Sequence, residues 1–189
     1  MPDPVDEQGP FSAWARDPEL SGAGSRYRAE LRAEAAAYEQ LAAKDRLRTR
    51  RLADVVAEAR ARGDIVAVAV SGRSFTGALV YAAGDLACLR TTTGDDVDVH
   101  LAGVLALRVV RAVRAGGHPR GPGPDGFAAR LGEHEAAGTL LEIGTRVPEG
   151  GLVGRIEAVS VDHVVVGGPD DERWFVARGA VDYVLPRRP

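Results

Sequence analysis

The chain has 189 residues, a formal net charge of −3 and a single cysteine. The negative charge argues against a strongly basic nucleic-acid-binding protein, and one cysteine excludes both a disulfide framework and a metal site built from several thiolates. No apolar run approaches the roughly 18 residues that cross a bilayer, so we expect a cytoplasmic protein that does not contact a membrane.

The first third of the chain predicts an arm followed by helix. Residues 1–24 are rich in Pro, Gly, Asp and Ser, which predicts a disordered arm. Phe11 and Trp14 interrupt this composition, and they are either incidental packing residues or a docking motif for a partner. Residues 25–62 contain no Pro or Gly and are rich in Ala, Glu, Arg and Leu. This segment therefore predicts helix leading into the first group of strands, with a break near residues 44–48.

The helical segment carries two candidate surfaces. Leu31, Tyr38 and Leu41 form part of an apolar stripe that is a candidate surface for a protein partner. Residues 44–51 carry five basic side chains against one acidic one. They form either a solvated helix face or a stripe that contacts phosphates. The arginines of this stripe are Arg46, Arg48, Arg50 and Arg51.

Residues 63–113 predict five short strands after the helix ends at Gly63, because glycine adopts the left-handed cap conformation without a Cβ penalty. The predicted strands are 65–70, 75–83, 85–91, 96–101 and 104–110. Residues 114–126 are dense in Gly and Pro, which predicts a linker.

Residues 127–185 predict the same order again, and 186–189 form a tail. The expected elements are a helix at 127–137 and strands at 140–143, 151–160, 163–166, 172–177 and 181–184. A shift of 77 residues places 75–107 on 152–184 without a gap. The identities are Gly77/Gly154, Asp85/Asp162, Val99/Val176 and Val104/Val181. A period of this length predicts two copies of one small domain.

Two segments resemble the Sm-like family of small β-barrels. Val68–Asp85, with Gly77-Ala78-Leu79 inside it, is similar to the family's first motif, and Phe175–Gly179 is similar to its Ile-Arg-Gly corner. The resemblance covers 52–110 and 127–185. It implies a mainly β fold with α: an N-terminal helical extension followed by two tandem copies of a helix plus a five-stranded Sm-like barrel. Other SH3-like barrels share this layout.

The chain departs from the RNA-binding members of that family. Leu89 and Val166 stand where those proteins have an Asn that helps to hold a base. The family's base pocket is therefore not carried over, and Arg178 is the one matching candidate for nucleic acid.

Catalytic patterns are weak in this sequence. The four histidines (His100, His118, His134 and His163) lack metal-ligand spacing, and the acidic clusters lie in predicted hairpin loops. We expect Glu133 and His134 on an exposed helix surface, and Cys88 as a buried core residue. No nucleophile, acid–base pair or cofactor motif is found. We therefore expect neither an enzyme nor a cofactor or metal.

Two functions remain after these exclusions. The first is protein–protein assembly, because small barrels expose edge strands that add a neighbouring strand, either from an unknown partner or from a second copy. The alternative is RNA binding through the arginine-rich helix and the barrel loops. The wealth of Ala, Arg, Gly and Val is typical of a bacterial genome rich in G and C.

If RNA binds at the basic segment, its affinity should fall steeply with salt, because each phosphate contact releases counterions. Replacing Arg48, Arg50 and Arg51 together with Ala should then weaken binding, measured by fluorescence anisotropy of a labelled RNA. Unchanged binding would place the RNA on another surface.

Overall fold

A computed structural model describes residues 18–113, 116–118, 121–146 and 151–187. The chain divides into two compact units, one ending at Arg50 and one beginning at Arg51. Residues 1–17 of the predicted arm, which include Phe11 and Trp14, lie outside the described residues. Helix α1 spans Pro18–Thr49, so residues 18–24 are helical rather than disordered. Proline is well accepted at the first turn of a helix because its missing N–H has no partner there.

The break in the helical segment lies a few residues later than predicted. Helix α2 spans Leu52–Arg62, and the Arg51 backbone N–H donates a 2.9 Å hydrogen bond to the Asp54 carboxylate. This capping contact starts a new helix at residue 52. The C-terminal end of α2 is Gly63, whose φ of 79° lies in the left-handed region as predicted.

In its described residues, the unit from Arg51 onwards contains α2, a further α-helix and ten strands. Helix α3 spans Phe127–Ala137. The strands of the first half are β1 (Ile65–Val70), β2 (Arg73–Ala83), β3 (Leu86–Thr91), β4 (Asp96–His100) and β5 (Ala106–Arg111). Those of the second half are β6 (Leu140–Thr145), β7 (Leu152–Val159), β8 (His163–Gly167), β9 (Arg173–Ala177) and β10 (Val181–Pro186).

All ten strands belong to one open antiparallel sheet with the order β5-β1-β2-β3-β4-β10-β6-β7-β8-β9. Closing the first half into a separate barrel by strand pairing would need its outer strands, β4 and β5, to join. Instead, β4 pairs with β10 from the second half. The architecture is therefore mixed α and β with a continuous open sheet, in place of the two tandem barrels predicted from the sequence.

The two halves have the same strand order and share a β-bulge at equivalent positions, which confirms the internal repeat. A bulge in the β2–β3 pairing lies between Leu79 and Tyr81, and the β7–β8 pairing has its bulge between Ile156 and Ala158. These positions are 77 residues apart, the same shift that aligns the sequences. Both halves therefore bend at the same point, since a bulge increases the local twist of a strand.

Gly77 and Gly154 occupy equivalent close contacts on β2 and β7. A Cβ at Gly77 would lie 2.2 Å from the carbonyl oxygen of Arg90, and one at Gly154 would lie 2.3 Å from that of Gly167. Neither strand has room for a side chain here, so glycine is required for the close approach of its neighbour.

The sheet unit has two hydrophobic cores, and each includes residues from the other half. The first core contains Tyr183 and Leu185 from β10, beside residues of α2 and of β1 to β4. The second contains Leu86 and Cys88 from β3, beside residues of α3 and of the second half. Cys88 is buried, as expected. The halves are therefore packed as one body.

Among the described helices, none combines the length and hydropathy needed to cross a bilayer.

Replacing Gly154 with Ala should lower the free energy of unfolding by about 1–3 kcal/mol, because the new methyl group overlaps backbone atoms of β8. Urea denaturation measures this change. The matched control is Gly132→Ala in α3, where a Cβ meets no atom within 4 Å and should be neutral or stabilising. Equal effects of the two substitutions would contradict the close contact at Gly154.

Candidate protein interface

The junction between the halves is formed by β4 and β10. Val99 lies opposite Tyr183, and Asp98 lies opposite Val184. All four residues are buried. The junction therefore shows how the fourth strand of one half of this fold accepts the fifth strand of the other.

Asp98 is held at the junction by α3. The His134 Nε2 atom lies 2.8 Å from one carboxylate oxygen of Asp98, and the Arg130 Nε atom lies 3.5 Å from the other. The His134 side chain is only 12% exposed, so its predicted position on an exposed helix surface is wrong. The Arg130 and His134 side chains make the burial of Asp98 possible, because a buried carboxylate without a partner would lower the stability of the fold.

Cys88 lies beside the same cluster, with an Arg130 guanidinium nitrogen 3.6 Å from its sulfur. Burial, together with the nearby Asp98 carboxylate, raises the pKa of the Cys88 thiol well above its ordinary value. The group is therefore a protonated thiol at neutral pH, and a thiol is a poor nucleophile compared with a thiolate.

A second buried aspartate, Asp182, lies at the other end of the junction. It is 1% exposed and accepts a 2.9 Å hydrogen bond from Arg146, which also donates to the Ala102 carbonyl oxygen at 2.8 Å. This arginine therefore connects the turn after β6 to the corner after β4.

Arg73 and Glu142 join the halves through a further ion pair. Arg73 also donates to the Tyr183 hydroxyl at 3.1 Å, and that hydroxyl donates to Glu142 at 2.8 Å. Burial raises the pKa of Tyr183 above its ordinary value, so the phenol remains neutral and keeps its proton for this bond.

A surface cavity of about 590 Å³ lies beside this part of the junction. Its lining includes Arg73 and Arg146, and both arginines are engaged by carboxylates of Glu142 and Asp182. The charged lining is therefore used to join the halves. Among the described residues, no group of three or more His, Cys, Asp or Glu side chains is arranged to hold a metal ion.

The outer strands β5 and β9 form the open edges of the sheet, and apolar side chains are exposed on and beside them. Val109 and Val110 are exposed on β5, and Leu105, just before this strand, is 72% exposed. On β9, Trp174 is exposed and Phe175 is 71% exposed. Unpaired backbone groups together with exposed apolar side chains are the features of a surface that adds another strand.

The predicted partner-binding residues of α1 are all exposed. Leu31, Tyr38 and Leu41 are 46%, 73% and 58% exposed, and Tyr27 belongs with them at 63%. Their spacing places them on a common helix face. Helix α1 belongs to the compact unit that ends at Arg50.

The predicted nucleic-acid-binding arginines lie on different elements. Arg46 and Arg48 are in the last turns of α1, where Arg48 pairs with Asp45 at 3.4 Å. Arg50 and Arg51 connect α1 to α2. Arg178 lies in the turn before β10 and donates to the Ser160 carbonyl oxygen at 3.3 Å.

Comparison with known proteins gave no match to a family model, to a curated protein or to a solved structure.

Trp174 and Phe175 are not among the site residues predicted from the sequence, because the segment that forms β9 was interpreted only as the fourth strand of a repeat. A usable signal was present. The 77-residue shift aligns Phe175 with Asp98, so a charged position in one copy is aromatic in the other.

Replacing Asp98 with Ala should lower the free energy of unfolding by about 2–3 kcal/mol, because Arg130 and His134 would lose their buried partner. The matched control is Asp96→Ala on the same strand. Asp96 pairs only with Arg90 at the surface, and such pairs contribute about 0–1 kcal/mol. Urea denaturation compares the two variants. A loss at Asp98 no larger than that at Asp96 would show that the α3 contacts do not stabilise the junction.

Proposed function

We propose that this chain is a non-enzymatic protein that assembles with other polypeptides through the two open edges of its sheet. The observation that carries this proposal is the coincidence of exposed apolar side chains with the unpaired strands β5 and β9. A protein that works alone ordinarily protects its sheet edges with charges, prolines or a covering element. In contrast, the Phe175 and Trp174 side chains add exposed hydrophobic area to an edge strand whose outer backbone groups are unpaired.

The physical basis of the assembly is strand addition. Backbone N–H and C=O groups of an incoming strand bond to those of β5 or β9, and its side chains cover the exposed apolar ones. The β4–β10 contact within the chain supports this idea, because it is the same type of pairing made between two halves of the fold.

We further propose that each half is one divergent copy of an Sm-like unit, a family that joins neighbouring barrels by pairing edge strands. The shared strand order, the close-contact glycines Gly77 and Gly154, and the short helical corners Leu101–Gly103 and Arg178–Ala180 support this assignment. The corners are 77 residues apart and each precedes the fifth strand of its half.

Helix α1 supplies a second surface for assembly in this proposal. Tyr27, Leu31, Tyr38 and Leu41 are exposed along it. An isolated helix gains most of its stability from packing of its apolar face, so this helix would be stabilised by a partner. Binding of RNA by the arginines remains the alternative, and the experiment below separates it from protein assembly.

The experiment introduces a photo-reactive phenylalanine derivative at Phe175, at Val110, and at Val161 as a control, in the cells from which the gene comes. Val161 is 86% exposed but lies in the turn between β7 and β8, away from both edges. Illumination should link the edge positions, and not position 161, to protein chains identified by mass spectrometry.

Equal linking from all three positions, or none from the edges, would contradict the proposed function. Edge adducts that are removed by nuclease would instead support the nucleic-acid alternative.

A further inference from the structure

We propose that α1 pairs with α1 of a second copy of this chain, with the two helices running antiparallel. This inference rests on the part of the proposed function that makes α1 a surface for assembly, and it names the partner of that surface. The exposure of the helix is the first observation that supports it. Every side chain of residues 25–49 is exposed, so this part of α1 lacks the tertiary packing that stabilises most helices.

The large apolar side chains of α1 have the spacing of a coiled-coil seam. Tyr27, Leu31, Tyr38 and Leu41 follow one another at intervals of four, seven and three residues. These intervals separate the a and d positions of a seven-residue repeat, with a at 31 and 38 and with d at 27, 34 and 41. All four side chains lie within about 80° of the helix circumference. A stripe this narrow fits the surface of one other helix.

The charged residues within the seam determine the direction of the partner helix. Glu34 occupies a d position, and Asp45 occupies the a position that follows Leu41. In a parallel pair each of these residues would meet the same residue of the other copy, so carboxylate would face carboxylate at two levels of the seam. Like charges brought together in an interface oppose association. The parallel arrangement is therefore disfavoured.

An antiparallel arrangement gives every one of these seam residues a suitable partner. The expected pairs between the two copies are Leu31 with Leu41, Tyr38 with Glu34, and Tyr27 with Asp45. A tyrosine hydroxyl donates a hydrogen bond to a carboxylate, while its ring adds apolar area beside the leucines. The seam then brings no like charges face to face.

The residues beside the seam favour the same direction. Glu30, Ala37 and Lys44 lie seven residues apart along one side of it, at g positions. The g positions of two antiparallel helices adjoin, so Glu30 would meet Lys44 of the second copy, and Ala37 would meet its own counterpart. Each pair of helices therefore gains two contacts between opposite charges. A parallel pair would place Glu30 beside Ala35 and Lys44 beside Thr49, without this complementarity.

The proposed interface is isologous, because both copies use the same surface and each contact occurs twice. Assembly through α1 therefore closes at two chains. It uses no residue of β5 or β9, so it is separate from strand addition at the sheet edges.

The first test compares substitutions on two faces of α1. Light scattering of the wild-type chain should approach twice 19.9 kDa as the concentration rises. Leu31→Glu should weaken the association constant about a hundredfold or more, because each pair contains this leucine twice. The matched control is Ala36→Glu, which adds the same charge outside the seam and should leave association unchanged. Glutamate has a high helix propensity, and circular dichroism checks that α1 is retained in both variants.

The second test reverses the charges beside the seam. Glu30→Lys and Lys44→Glu should each weaken association several-fold, because like charges would then meet. The double variant should recover the association of the wild-type chain, since opposite charges meet again. A substitution that acted only by disturbing the helix would not be rescued in this way.

The third test uses disulfides to determine the direction of the helices. Chains with Leu31→Cys and chains with Leu41→Cys should link to each other when mixed and oxidised, because residue 31 lies opposite residue 41. Neither variant alone should form linked pairs. Native Cys88 is buried and stays out of the reaction.

Three results would overturn this inference: a wild-type chain that stays monomeric at every concentration, equal effects of Leu31→Glu and Ala36→Glu, or linking by either cysteine variant alone. A monomeric chain whose edge positions still captured a protein would refute the helix pair and leave strand addition standing. A pair that Leu31→Glu dissociates, with no protein captured at Phe175 or Val110, would refute strand addition and support the helix pair.

Discussion

The pairing of β4 with β10 organises the whole sheet unit. It brings together strands that lie more than 80 residues apart, and it places Tyr183 and Leu185 in the core of the first half. Conversely, Leu86 and Cys88 of β3 lie in the core of the second half. Neither half buries its apolar residues alone, which is the expected situation for a small repeat that supplies only part of a core.

The two copies differ in chemistry at positions where their environments differ. At the junction, the linked halves accommodate buried aspartates because the same chain supplies the arginines and the histidine that hold them. Removing one partner of such a buried ion pair is destabilising, because the other charged group then stays buried without a partner. At the open edges, Phe175 and Leu105 occupy the equivalent positions, and apolar contact is the term that drives association between separate molecules.

Helix α1 differs from the sheet in the burial of its apolar side chains. It contains 32 residues, and its large apolar side chains are exposed, among them Tyr38 and Leu41. A helix with an unburied apolar face has little tertiary packing to stabilise it. The sheet edges and this helix therefore both expose apolar side chains.

Several elements were predictable from local sequence. The β-branched run Ile65–Val70 and the segment Phe127–Ala137 have the predicted bounds, because alternating β-branched residues and a glycine cap are local signals. The start of α1 at Pro18 was missed, since Gly22 and Gly24 lower helix propensity without preventing the helix.

The sequence by itself determined the order of the elements, the 77-residue repeat and the helix end at Gly63, because each depends on residues close together or on a direct comparison of the two copies. Only the tertiary structure decided that β4 pairs with β10, that Asp98 is buried against His134, and that β5 and β9 remain open. Those outcomes depend on which of several similar edges meet. Edge strands offer the same backbone groups to any partner, so the choice is made by the packing of distant side chains around them.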